Sequence, residues 1–219
     1  MSLGHGASIV KDNLRIFYDP ASPKCYSGTG NNIIDLSNNG ANATMASATS
    51  FSSDNGGVFS HASSGTNFLT NEVQNISASQ ITAMTWVKVD GHGNFHNFIR
   101  NNWVNSGWLI YTTTTDWRGG IAQNGVQYTT GTPHNNSLDW THLALTYNAV
   151  AASFYVNGVL VGTNSNAPNA TLNTGFTISF GGGNTPSTYK TALPMIYDRG
   201  LFASEIRQNF EAHRGRFGI

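Results

Sequence analysis

The chain has 219 residues, of which 39% are apolar and only 10% charged, with 11 Lys and Arg set against 11 Asp and Glu. A net charge of zero, with no basic run, excludes electrostatic capture of nucleic acid, which needs several cations facing phosphates. The single cysteine, Cys25, cannot form an internal disulfide, and no apolar run approaches the ~20 residues of a membrane span.

Met1 to Asp12 has neither a basic start nor an apolar core, so residues 1–12 are expected to form an N-terminal arm and not a secretory signal. No linker or repeat divides the rest of the chain. Residues 1–219 are therefore expected to form a single domain, of a size that all-β sandwiches reach. Residues 14–19 predict a first strand, stopped by Pro20 and Pro23, whose fixed φ and missing N–H suit a turn. Residues 24–48 are rich in Gly and Asn and predict a long ordered connection. Within it Asp35 and Asn38 are of the residue types that hydrogen-bond the local backbone as turn formers.

Val58-Phe59, residues 67–69 and residues 81–89 supply further strands; in the last, Met84, Trp86 and Lys88 oppose Thr85, Val87 and Val89. Aromatic residues crowd the next stretch, where strands are expected over 97–100, 107–112 and 118–123. Leu143, Leu145 and Tyr147 alternate with His142, Ala144 and Thr146, the pattern of a strand with one buried face. Residues 153–156 and 159–161 flank Asn157-Gly158, which predicts a hairpin through a type I′ turn because both central residues must take positive φ. Phe176, Ile178 and Phe180 alternate in another strand. The last strand covers 193–198, and Pro194 within it implies an edge position or a bulge. A helix is expected over 203–213, with Ile206 and Phe210 on one face and Glu205 near its positive end. Phe202 has no side-chain oxygen with which to cap it. Short strands separated by turn signals every 8 to 12 residues indicate an all-β fold of two antiparallel sheets, a sandwich or a jelly roll.

Trp140 with His-Leu-Ala-Leu-Thr-Tyr (142–147), followed by Phe-Tyr-Val-Asn-Gly-Val-Leu-Val-Gly (154–162), resembles the signature hairpin of laminin-G-like, concanavalin A-like jelly-roll domains. Residues 14–19, 26–30, 35–40, 84–87 and 196–199, with Ala203-Ser204-Glu205-Ile206, fall in the order such domains show. The opening block 9–42 and the closing Gly215-Arg216-Phe217-Gly218 are similar to copies in tailed-phage virion proteins. That resemblance implies a virion structural or decoration protein, made in a host cytoplasm, oligomeric in the particle, with other virion proteins and host-surface glycans as partners. The alternative is a free lectin or a carbohydrate-binding module. The chain is expected to be a whole protein, starting at its own Met1.

Related folds include glycoside hydrolases, which need two carboxylates about 5.5 Å apart, usually on one strand. Glu72, Glu205 and Glu211 have no acid two or three residues away in that pattern, so no enzyme is expected. His92 and His96 are four apart, but Gly91 and Gly93 argue against the helix that would aim both at zinc. What remains is binding. Sugars present hydroxyls to Asn, Asp and Arg and C–H faces to aromatic rings. Asn94, His96, Trp103, Asn105, Asp116, Trp117 and Arg118 have that composition and are the candidate carbohydrate-binding residues. The resemblance to laminin-G-like domains implies calcium, a taker of hard oxygen donors, as an alternative role for Asp35 and Asn38, and no other resident cofactor is expected.

Overall fold

The computed structural model describes residues 8–62, 68–70, 79–93, 95–101, 106–166, 172, 178–180 and 188–219. Along the chain the strands are β1 (Leu14–Phe17), β2 (Asn32–Ile33), β3 (Ala43–Met45), β4 (Thr49–Ser52), β5 (Val58–His61), β6 (Phe68–Thr70), β7 (Gln80–Val89) and β8 (His96–Asn101). They continue with β9 (Trp108–Thr112), β10 (Asp116–Gln123), β11 (Val126–Pro133), β12 (Thr141–Asn148), β13 (Ala152–Val156), β14 (Val159–Asn164), β15 (Ser179–Phe180) and β16 (Tyr189–Tyr197). A single α-helix among the described residues, α1 (Ala203–Phe217), closes the chain, and no helix there is long and apolar enough to cross a membrane.

The strands form two antiparallel sheets. One has the order β14-β13-β12-β7-β16-β5-β4, with β1 joined to β16; the other has the order β11-β10-β9-β8-β15-β6-β3-β2. Between them Ile16, Phe59, Val87, Phe98, Trp108, Leu145 and Phe154 belong to one continuous core. This is the expected all-β jelly roll with a C-terminal helix.

The connection expected over 24–48 contains two short paired strands, β2 and β3, and residues 49–52 form a further one, β4. Asn157 and Gly158 take φ of 50° and 76°, the positive pair of a type I′ turn. Asn157 Oδ1 accepts the His142 amide at 2.9 Å and so ties the turn back onto β12. Pro194 sits in a bulge between Ala192 and Met195, where Leu193 has φ of 52°. The strand is not at an edge. The bulge divides it, so that Tyr189 to Thr191 pair with β5 and Met195 to Tyr197 with β1, while β7 runs along the other side.

Two expectations need correction. The strand through Leu143 has both faces buried, because α1 and the N-terminal arm cover the outer side of its sheet. There Trp86 stacks on Phe217 at 4.3 Å and on Phe210 at 5.6 Å, and Phe217 meets Trp140 at 4.7 Å. The helix also continues past His213 to Phe217, since its last turn is fastened by that stack and by Arg216, which donates to Asp19 at 2.8 Å and to the Asn55 carbonyl at 2.7 Å. At its start only the return half of a capping box forms: the Phe202 amide donates to Glu205 Oε2 at 2.8 Å, and no side chain accepts from the first turn.

Candidate functional site

Asp116, Trp117 and Arg118 open β10, and the period of a strand decides what each can do. Trp117 is 3% exposed and points between the sheets, in edge contact with His92 and His134 and 6.0 Å from Phe98. Asp116 and Arg118 occupy the opposite face. Their side chains keep 21% and 40% of their exposure, and Arg118 Nη2 donates to Asp116 Oδ2 at 3.1 Å, with Nε at 3.3 Å. Both nitrogens share one oxygen. Asp116 is positioned by the β9–β10 turn, where its amide donates to Thr113 Oγ1 at 3.0 Å and its carbonyl accepts the Thr113 amide at 2.9 Å.

Beside the pair, Tyr111 is the register partner of Arg118, and Phe95 lies 4.9 Å from the Tyr111 ring. These two aromatics, with Leu109 and Ala122, form a small apolar cluster on that face. The sequence showed the crowding of aromatics but not that Tyr111 and Phe95 stand next to the ion pair. That needs the hairpin register. Tyr111 is buried and Phe95 half-buried, so the face presents an acceptor and donors beside the Phe95 ring, the combination that reads sugar hydroxyls and C–H faces.

Among the other candidates, His96 is fully buried, 5.2 Å from the Tyr189 ring, and is corrected from ligand to core. Trp117 is corrected likewise. Asn94, Trp103 and Asn105 lie outside the described residues, as does Glu72. His92 stacks on His134 at 3.4 Å and donates through Nε2 to the Ser137 carbonyl at 2.8 Å. No group of three His, Cys, Asp or Glu able to hold a metal occurs among the described residues.

The calcium expectation at Asp35 and Asn38 also meets a physical objection. Asp35 is buried, and its carboxylate accepts from the Phe17, Ser37, Asn39 and Ala41 amides and from Ser37 Oγ at 2.6 Å. Donors therefore occupy the lone pairs that a cation would need. Asp35 instead fastens the loop to β1, the turn-forming role. Nor do the described glutamates assemble a glycosidase pair. Glu205 binds Arg199 at 2.6 Å, and Glu211 bridges Arg207 and Arg214 on the helix.

A family model for the concanavalin A-like lectin/glucanases superfamily matches residues 62–207. The chain belongs to this superfamily. Among solved structures it is similar to the binding domain of Paraclostridial Mosquitocidal Protein 1, with 20% identity and a TM-score of 0.74 over 93% of this chain and 53% of that one. It is also similar to the binding domain of botulinum neurotoxin serotype D, with 16% identity and a TM-score of 0.75 over 93% of this chain and 52% of the other. A botulinum neurotoxin type C structure, whose cell entry depends on interaction with two ganglioside molecules, matches with 17% identity and a TM-score of 0.75 over 92% and 51%. The chain thus spans about half the length of these structures, and the likeness establishes the fold. No curated protein sequence matches it.

These findings correct the virion reading. The solved structures named above are from clostridial toxins, and the matched family is one of lectins and glucanases, so neither gives the chain a place in a phage particle. Virion partners, assembly as a particle oligomer and virion localisation fall with it.

Proposed function

We propose that the chain, as one domain, is a lectin-like module that binds glycans through the face of β10 carrying Asp116 and Arg118, with Tyr111 and Phe95 beside them. The observation that carries this reading is the one-oxygen geometry of the ion pair. Because both Arg118 contacts to Asp116 fall on Oδ2, Oδ1 takes no part in the pair, and Arg118, which also bonds the Tyr111 side chain, has more N–H donors than these partners use. An acceptor and donors at adjacent positions match two neighbouring hydroxyls of a pyranose. Phe95, half-buried against the apolar cluster alongside, offers ring surface to the C–H face of the sugar. Superfamily membership and the ganglioside-dependent entry of a similarly folded toxin support the same class of ligand.

The test is a glycan array that includes sialylated glycans and ganglioside headgroups, probed with the wild type, Arg118→Ala and Asp116→Asn. Each hit is expected to weaken at least about ten-fold in both variants, the scale of a lost charge-assisted hydrogen bond. Circular dichroism should be unchanged, since both side chains are surface groups. Hits that survive both substitutions would refute this site.

A further inference from the structure

A second concavity, of about 300 Å³, lies between the N-terminal arm, β1 and the loop after Asp35. Its walls are Ile9, Leu14, Phe17 and Leu36, all half-buried. The first three back onto the core beneath the helix and Leu36 onto the core between the sheets, so the concavity lies where the two cores meet. Each wall residue has one side packed and one side left open. The rim carries Lys11 and Asn38, both exposed. Among the described residues Lys11 is the one ionisable group lining it. It makes no ion pair among the described residues, whereas its neighbour Asp12 pairs with Arg199.

These walls are built without a ligand. Asn39 Nδ2 donates to the Leu14 carbonyl and Ser37 Oγ to the Arg15 carbonyl, each at 2.8 Å, which locks the loop against β1. On the other side the Val10 amide donates to Asn209 Oδ1 at 2.8 Å and the Tyr197 hydroxyl to the Val10 carbonyl at 2.9 Å, which locks the arm onto α1 and β16. Because both sides are fixed, a ligand would order little on entering. The volume is at the lower end for ligand pockets, suited to a small molecule and too small for an oligosaccharide.

An apolar lining with one cation at the rim selects an anion with an apolar body. We infer that this concavity binds a small amphipathic carboxylate of the medium-chain fatty acid class, its chain against Ile9, Leu14, Phe17 and Leu36 and its carboxylate on the Lys11 ammonium. The site shares no residue with the glycan face and stands or falls independently of it. The experiment is an NMR titration with octanoate below its micelle-forming concentration, with octyltrimethylammonium as the cationic control. The expected result is single-site saturation, with the shifted amides confined to residues 9–17 and 36–38. Lys11→Glu should weaken it about ten-fold or more, while Lys11→Arg retains it, since only the charge is required. Absence of saturation, equal binding by Lys11→Glu, or equal binding of the octyl cation would overturn the inference. Lys11 is exposed, so its substitution leaves the fold intact.

Discussion

Two buried histidines predict that acid will unfold this domain well above the range in which its carboxylates protonate. His61 is 1% exposed and sits between Thr49 Oγ1 at 3.2 Å and Thr191 Oγ1 at 2.7 Å. His142 is 2% exposed, between Trp86 at 5.3 Å and Phe210 at 5.9 Å. Burial pushes each imidazole from 6.5 down to about 3, with His213 adding repulsion at His142. The unfolded chain therefore binds protons that the folded one refuses. The stabilisation is complete above pH 6.5 and is lost as pH falls from 6.5 toward about 3. At pH 5 an unfolded histidine is almost fully charged and a folded one neutral, which costs about 2 kcal/mol per residue, or about 4 kcal/mol for the two. That is a large part of a typical total stability of about 5–15 kcal/mol. The carboxylates held low, such as Glu205 beside Arg199, lose their stabilisation only as pH falls through the ordinary carboxylate range, below the pH 5 end point of the comparison. His92, His96 and His213 are displaced in the same direction by burial and can only steepen it. The assay is urea unfolding at pH 7.5, 6 and 5 for the wild type and His142→Leu. The variant should lose about 2 kcal/mol less than the wild type between the end points, whatever its stability at pH 7.5. A wild type equally stable at both, or a variant with the same loss, would rule out the buried imidazoles as the source of acid sensitivity.

Phe217→Ala removes the ring stacked on Trp86 and in contact with Trp140, and should cost about 3 kcal/mol in chemical denaturation, with the helix end fraying first in hydrogen exchange. Gly57→Ala places a Cβ 2.7 Å from the Ala21 backbone at a φ of 143°, so it should destabilise the fold by about 2 kcal/mol or more, seen as a lowered urea midpoint. Cys25 is fully buried and its thiol is pushed up to about 12, chiefly by burial. At pH 8 it should stay unreactive toward a thiol reagent until the protein is denatured, and rapid labelling of the native protein would contradict its placement.

The fold was legible because its strongest local signals are also its topological anchors. Asn157-Gly158 specified the hairpin, and the strands around it alternated as the pleat requires. The same signal stands at Asn124-Gly125, with φ of 52° and 81°, joining β10 to β11. Reading it as a turn would have supplied β11, whose half-buried polar residues give little apolar pattern. The second buried face of β12 was hidden because a helix far along the chain covers it, and periodicity within the strand carries no information about that partner. In the candidate site, composition was a poor guide to direction. Asp116, Trp117 and Arg118 are adjacent, and a strand must turn the middle one away from the other two. His96 is a ligand candidate on composition, yet it begins β8 and is buried. The virion expectation came from similarity at the two ends of the chain. Neither strand pattern nor charge says where a binding domain is displayed.

The glycan face is tested most directly by mapping the strongest array ligand onto the backbone amides of the labelled protein by NMR. Saturable shifts grouped at residues 111–118 and at Phe95, and absent in Arg118→Ala, are expected. Shifts grouped elsewhere, or unchanged in that variant, would contradict the assignment of this face.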